Sequence, residues 1–224
     1  LKIFGRNRPA RSIPGDTVEI LIETGRESFR RGLFQKAGER INLMKLTEKT
    51  LEQKYLYRGK ILDFHVDRAE LENGRVTTRE CVDHGGGVSV AALTERDELY
   101  FVRQYRYPYH EVVLELPAGK LEKGEDPLEA GKRELREETG VTGKNYVGLG
   151  RLYPSPGYTN EVIFLYACRA ASRGENDLDE GEFLEAEKIP LEKAVAMAVS
   201  GEIVDAKTLA LVLKVARLAA EKKL

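Results

Sequence analysis

The 224-residue chain has only two cysteines and three histidines. Cys81 and Cys168 belong to no CxxC pair, which excludes a disulfide framework and a thiolate-based metal motif; a reducing, cytoplasmic setting is expected. His65, His84 and His110 form no HxxxH pair, so each reads as a structural residue rather than a zinc ligand, and any metal should be held by oxygen. Long apolar runs are also missing. The longest, 162–168, is seven residues against the roughly 20 that a membrane helix needs. Neither sign of charge dominates: 36 Lys+Arg against 37 Asp+Glu give a net charge of −1 and no global field for nucleic acid or an anionic membrane.

What is present is a chain 42% hydrophobic and 33% charged, a balance that suits a globular core beneath a charged surface. Its length fits one domain with an appendage. Residues 1–43 carry nine basic and five acidic residues, a net +4 that leaves −5 for 44–224. They contain no signal-peptide core, since Glu19 cuts the apolar stretch 18–22. The division expected is an N-terminal extension of uncertain status, 1–43, before a main domain, 44–224, with Met44 as the natural start.

Beyond Met44 the pattern is that of strands. Residues 55–57 and 61–71 flank a turn at Arg58-Gly59, and Asn73-Gly74 signals a type I′ hairpin before 75–82, so an antiparallel sheet comes first. Gly85-Gly86-Gly87 breaks the chain; 88–93 and 99–103 then bracket a turn at Arg96-Asp97. Asp126 and Pro127 are an N-cap and first-turn residue for a helix ending at Gly140. Residues 162–167 read as a buried strand, 174–182 as an acidic loop, and 191–199 as a helix. A last helix over 206–222 is expected to bury Leu209, Val212, Leu213, Ala216, Ala219 and Ala220. Strands first and helices interspersed later indicate an α/β (α+β) sandwich.

The chemistry concentrates on the helix after Pro127. Glu134 and Glu138, four residues apart, share a helix face, and a like-charge pair at that spacing costs a few tenths of a kcal/mol unless a cation bridges it. Arg133 and Glu137 form a second pair rotated by one residue, so the arginine can neutralise one acid and leave the other two for a metal. Hard oxygen ligands suit Mg²⁺, with Mn²⁺ as an alternative, and such ions bind phosphates too. The implied substrate is a phosphate ester or anhydride.

Gly119, Glu125, Arg133, Glu134, Leu135, Glu137, Glu138, Gly140 and Val141 together resemble the Nudix hydrolase signature, filling every fixed position over 119–141. The chance of this is on the order of 10⁻⁹ per starting position from residue frequencies. The resemblance implies an α/β/α sandwich with a mixed central sheet, and hydrolysis of a nucleoside diphosphate linked to another moiety. Three further segments resemble the ADP-ribose pyrophosphatase subfamily: 102–106, 114–119, and the stretch 153–161, in which Pro156 lies sixteen positions after Gly140. By that resemblance Glu134, Glu138 and the Ala118 carbonyl are metal ligands. Arg79, Glu80 and Arg106 contact the ADP portion, which agrees with guanidinium recognition of diphosphate and adenine. Arg133 and Glu137 belong to the catalytic box, and Glu182 activates water, with Glu161 and Glu180 as alternatives. A homodimer whose subunits exchange strands is also implied.

The rival readings are a Nudix pyrophosphatase for another nucleotide sugar or a dinucleotide, and a non-catalytic ADP-ribose sensor. Such sensors usually lose box acids, whereas Glu134, Glu137 and Glu138 are all present. A DNA-binding regulator would need a helix-turn-helix, and 1–43 shows no convincing pair of helices. Intact mass of the protein made from its native locus checks the start site: a chain beginning at Met44 is expected, and a mass that includes residues 1–43 refutes it.

Overall fold

A computed structural model describes residues 46–178 and 183–224. The 1–43 extension, Met44, Glu180 and Glu182 lie outside the described residues.

Every residue of 87–93, GVSVAAL, is buried, as its nearly unbroken apolar sequence demands of a strand covered on both faces. This strand, β4 (Gly87–Leu93), is the centre of the main sheet. It pairs in parallel with β9 (Ile163–Arg173), and antiparallel with β5 (Glu98–Arg106) and β7 (Ala118–Lys120). β10 (Leu184–Pro190) and β6 (Glu111–Glu115) pair with β5, and β8 (Val141–Leu152) pairs with β9, so the seven-stranded sheet is mixed.

Alternation along β4 sends side chains to two cores. Val88, Val90 and Ala92 meet Ala130 and Leu135 of helix α1 (Pro127–Thr139). Ala91 and Leu93 lie in the opposite core with Ala194 of α2 (Leu191–Ser200) and Leu211, Val212 and Val215 of α3 (Ala206–Ala220). The α/β/α sandwich expected from the sequence is the observed architecture.

Helix α1 starts where expected: the Asp126 carboxylate accepts from the N–H groups of Leu128 (2.9 Å) and Glu129 (3.2 Å), and Pro127 occupies the first turn. It stops at Gly140, whose φ of 71° suits glycine at a helix C-terminus. Inside the helix, a Cβ on Gly131 would approach the Val90 and Val88 methyls to 2.9 and 3.1 Å, so the glycine lets α1 lie close on β4.

The first strands form a separate sheet in the order β1 (Lys49–Arg58), β2 (Leu62–Glu70), β3 (Val76–His84). Its β2–β3 hairpin departs from the expected type I′ turn. Gly74 has φ 79° but Asn73 has none of the positive φ that a type I′ turn requires of both central residues. Instead Leu71 accepts from the Gly74 N–H (2.9 Å), the Leu71 N–H donates to Arg75 (2.8 Å), and the Asn73 side chain accepts from the Arg75 N–H (3.0 Å). The segment 153–162 between β8 and β9 is stitched to β3 by Val82, which donates to Tyr158 O (2.7 Å) and accepts from Asn160 N (3.2 Å).

Two strands are additions to the expected pattern, and one expectation changes. β8 and the β5–β6 hairpin have no clear sequence pattern, because β8 contains three glycines and β6 is only five residues long. The buried stripe of α3 is Thr208, Leu211, Val212 and Val215, whereas Leu213 is exposed. The i, i+3, i+4, i+7 spacing from Thr208 sets the helix rotation, because the Thr208 hydroxyl accepts from the buried Leu116 N–H at 2.8 Å. Leu211→Ala should therefore lower stability by about 2–5 kcal/mol and Leu213→Ala by much less, as measured by urea denaturation. Equal losses would contradict this rotation.

Candidate active site

The short strand β7 runs beside α1, and the site is built on that approach. Glu134 and Glu138 lie one turn apart on α1, on the side facing β7. Glu138 is only 4% exposed, and its Oε2 accepts from the Ala118 N–H at 3.0 Å. Any Cβ at position 119 would fall inside the Glu134 carboxylate, so only glycine leaves that carboxylate its place.

Arg133 sits at the helix's edge as a hub. Its Nε and Nη2 donate to the two oxygens of Glu125, each at 3.1 Å. Its Nη1 donates to Glu134 Oε1 (2.8 Å) and Glu137 Oε2 (3.0 Å). These contacts, that with Glu125 first, drive the guanidinium's pKa far upward. Reciprocally, the Arg133 hydrogen bond, assisted by the Glu122 N–H, holds the Glu125 carboxyl below its ordinary range. Sequence spacing pairs Arg133 with Glu137 alone; the structure adds Glu125 and Glu134, because the turn 122–125 before the helix brings Glu125 to the guanidinium.

Above these residues opens a cavity of about 690 Å³, a volume typical of small-molecule sites. Ala118, Arg133, Glu134 and Glu138 line one part of it, and Arg106 and Lys207 another. Glu115, 2% exposed, organises the two cations. It accepts from Arg106 Nε (2.5 Å) and Nη2 (2.7 Å) and from the Lys207 ammonium, which also reaches Asp205 (3.0 Å). Burial pulls the Glu115 pKa up, but the hydrogen bond from Arg106 and the attraction of Lys207 outweigh it, so the carboxyl lies below its ordinary range. His84 and Glu161 face one another across the lining, Nδ1 to Oε1 3.6 Å.

Of the sequence-derived candidates, Ala118, Glu134, Glu138, Arg133 and Arg106 thus converge on the cavity, together with the alternative base Glu161. Glu137 stays on the Arg133 side of the helix. Arg79 and Glu80 lie on β3 away from the lining, and Arg79 is held by Glu48 through two bonds of 2.9 and 2.6 Å. Glu115 and Lys207 were missed. One local signal pointed to Lys207: a lysine in the first turn of a helix opposes the helix dipole and calls for an acidic partner.

The side-chain donors at the α1–β7 junction are the carboxylate oxygens of Glu134 and Glu138, beside the backbone of Ala118. That set fits a hard divalent cation, and the space kept clear at Gly119 keeps the Glu134 carboxylate at the cavity.

Comparison with known proteins agrees with this geometry. A family model described as the NUDIX domain matches residues 83–212. The chain is 40% identical over 165 residues to an ADP-ribose pyrophosphatase of Bacillus subtilis (strain 168), covering 73% of this chain and 89% of that one. It is also 40% identical over 163 residues to a methanol dehydrogenase activator of Bacillus methanolicus, covering 72% and 88%. A crystal structure of an ADP compounds hydrolase superposes with a TM-score of 0.69 at 20% identity, over 80% of this chain and 97% of that one, and shares the fold. The box residues, the sandwich that positions them and these matches agree: the chain belongs to the Nudix family of hydrolases.

Proposed function

We propose that this hydrolase cleaves the pyrophosphate of ADP-ribose to AMP and ribose 5-phosphate. The observation that carries the reading is the cavity itself, with buried or half-buried carboxylates of α1 on one part and the Arg106–Glu115–Lys207 group on another. A pyrophosphate needs both kinds of surface. The 40% identity to an ADP-ribose pyrophosphatase supports the choice of substrate.

In this reading Glu134, Glu138 and the Ala118 carbonyl hold Mg²⁺, with Mn²⁺ as a substitute. Such an ion supplies neutralisation of phosphate charge and acidification of water. The Ala118 N–H fixes one oxygen of Glu138 and leaves the carboxylate oriented. Arg133 keeps Glu134 and Glu137 at set positions on α1 and prevents their mutual repulsion from opening the site. Arg106, pinned by Glu115, offers its remaining guanidinium edge and charge to the ADP portion. Glu182 is assigned to orient and deprotonate the attacking water, with Glu161 at the cavity wall as the alternative.

A homodimer belongs to the same proposal. Tyr105, Tyr107, Tyr109 and Val112 along the β5–β6 hairpin are all more than half exposed, apolar side chains of the kind that a second copy covers. Arg79 and Glu80, outside this chain's own cavity, would then serve a site built by both subunits.

Product analysis by phosphorus NMR with ADP-ribose, Mg²⁺ and ¹⁸O-labelled water tests the reaction. AMP and ribose 5-phosphate with label on one of them are expected. Faster turnover of another nucleotide sugar or a dinucleotide would replace the substrate, and binding without turnover would favour a sensor. Glu138→Gln should cut kcat by several orders of magnitude with an unchanged far-ultraviolet spectrum; near-normal turnover would remove Glu138 from the ligand set. Light scattering should report twice the chain mass, and a monomer would refute the shared site.

A further inference from the structure

One face of the three-stranded sheet collects donors that the hydrolase site does not use. Register places His65 opposite Cys81 and Asp63 opposite Asp83, so the two-residue period brings His65, Asp67, Cys81 and Asp83 to the same face. His65 is 3% exposed and Asp67 is also buried. The ring's Nδ1 lies 2.7 Å from Asp67 Oδ1 and 3.3 Å from the Gln53 amide nitrogen. Its Nε2 lies 3.6 Å from Asp83 Oδ1, beyond hydrogen-bond reach, and has no hydrogen-bond partner among the described residues. One donor atom from each of His65, Asp67 and Cys81 falls within 4.8 Å of the others.

A neutral imidazole carries one N–H. If Nδ1 donates to Asp67, Nε2 turns a buried lone pair toward Asp83; if the proton is on Nε2, the lone pair of Nδ1 faces Asp67. Either neutral tautomer sets an acceptor against a carboxylate, and a cation on this face, Arg79 opposite Asp67, is bonded to Glu48. Around the cluster, Asp83 is already oriented by Tyr55 Oη on one oxygen (2.8 Å) and Asn160 Nδ2 on the other (2.6 Å).

We infer that His65, Asp67 and Cys81 bind a divalent transition-metal ion of the zinc class, with Asp83 positioning the imidazole from its other side. Nitrogen, oxygen and sulfur donors together select zinc, cobalt or nickel over the magnesium suited to the all-oxygen site. Zinc bonds of about 2.0–2.3 Å put neighbouring tetrahedral ligands roughly 3.3–3.7 Å apart, which small side-chain rotations reach from the present spacing. On binding, the Cys81 S–H bond breaks, its proton passes to solvent, and Sγ bonds the ion. The carboxylate–histidine pairing with Asp83 matches the outer-shell arrangement that sets a ligating ring's tautomer. The ion would clamp β2 to β3 just before His84 enters the cavity wall.

The test uses the full chain, stripped with a chelator and kept in excess Mg²⁺ so that the α1 carboxylates are occupied. Titrated Co²⁺ should produce a thiolate-to-cobalt charge-transfer band saturating at one ion per chain, which Zn²⁺ abolishes. Cys81→Ser should remove the band while Cys168→Ser keeps it, and Asp83→Asn should weaken zinc binding by about 10–100-fold. Absence of the band in the wild type, or its persistence in Cys81→Ser, overturns the site. If Cys81→Ser does not fold, nitrogen-15 NMR of His65 in the wild type decides: adding Zn²⁺ must move one ring nitrogen to a metal-bound shift while the other keeps its proton, and a ring unchanged by Zn²⁺, or protonated at both nitrogens, overturns the site. Because none of these readouts uses turnover, their failure leaves the ADP-ribose reading untouched, and the converse holds.

Discussion

Repulsion between carboxylates is the constraint around which the site is organised. Glu134 and Glu138 stack one turn apart, and Glu125 and Glu137 are close by, where an isolated helix would resist such crowding. A single guanidinium holds three of the four, and the backbone N–H of Ala118 holds the fourth. The five donors of arginine in a fixed fork make this possible; a lysine ammonium could not span Glu125 on one side and Glu134 with Glu137 on the other. Helix α1 is therefore tied to the turn before it and to β7 beside it, and both ties run through side chains that also face the cavity.

A second buried charge group repeats the logic with the signs reversed. Glu115 lies almost fully inside the protein and brings together two cations from β5 and α3 that would otherwise repel. Burying such a group is costly unless every partner is in place, so its presence argues for a requirement of position more than of stability. It joins three distant parts of the chain at one wall of the cavity, and it makes the rotation of α3, already set by Thr208, matter to the site.

Much of this was legible in the chain. The α1 helix, its Asp126 cap, its stop at Gly140 and the box acids follow from local spacing and helical geometry, and the central strand β4 announces itself by an apolar run. Less legible was everything that depends on contacts between remote segments. The Arg106–Glu115–Lys207 group assembles residues from β5, β6 and α3 that no local pattern connects. The buried face of α3 differs from the expected one because Thr208, a polar residue, lies at the centre of its buried stripe, where its hydroxyl serves the Leu116 backbone. The β2–β3 turn differs because Asn-Gly suits more than one hairpin, and only the backbone angles separate them. Glu182, assigned by resemblance, lies outside the described residues, while Glu161 lines the cavity.

The bonds of Val82 to Tyr158 and Asn160 bear on how this scaffold tolerates change in chain length. At the hairpin tip nothing lies within 4 Å of a Cβ built on Gly74, so residues added beside it meet open space, although φ 79° keeps position 74 itself for glycine. Between Val82 and Gly87 the chain has no such latitude. It is anchored at one end to the loop that delivers Glu161 and at the other to the central strand, and Gly86 turns the corner at φ 86°. One added residue that slipped the register of β3 or β4 would turn every side chain of that strand to the opposite face. Insertions and deletions among relatives should therefore accumulate at the tip and spare this junction, making its constant length a better mark of shared architecture than the identity of most residues in the small sheet.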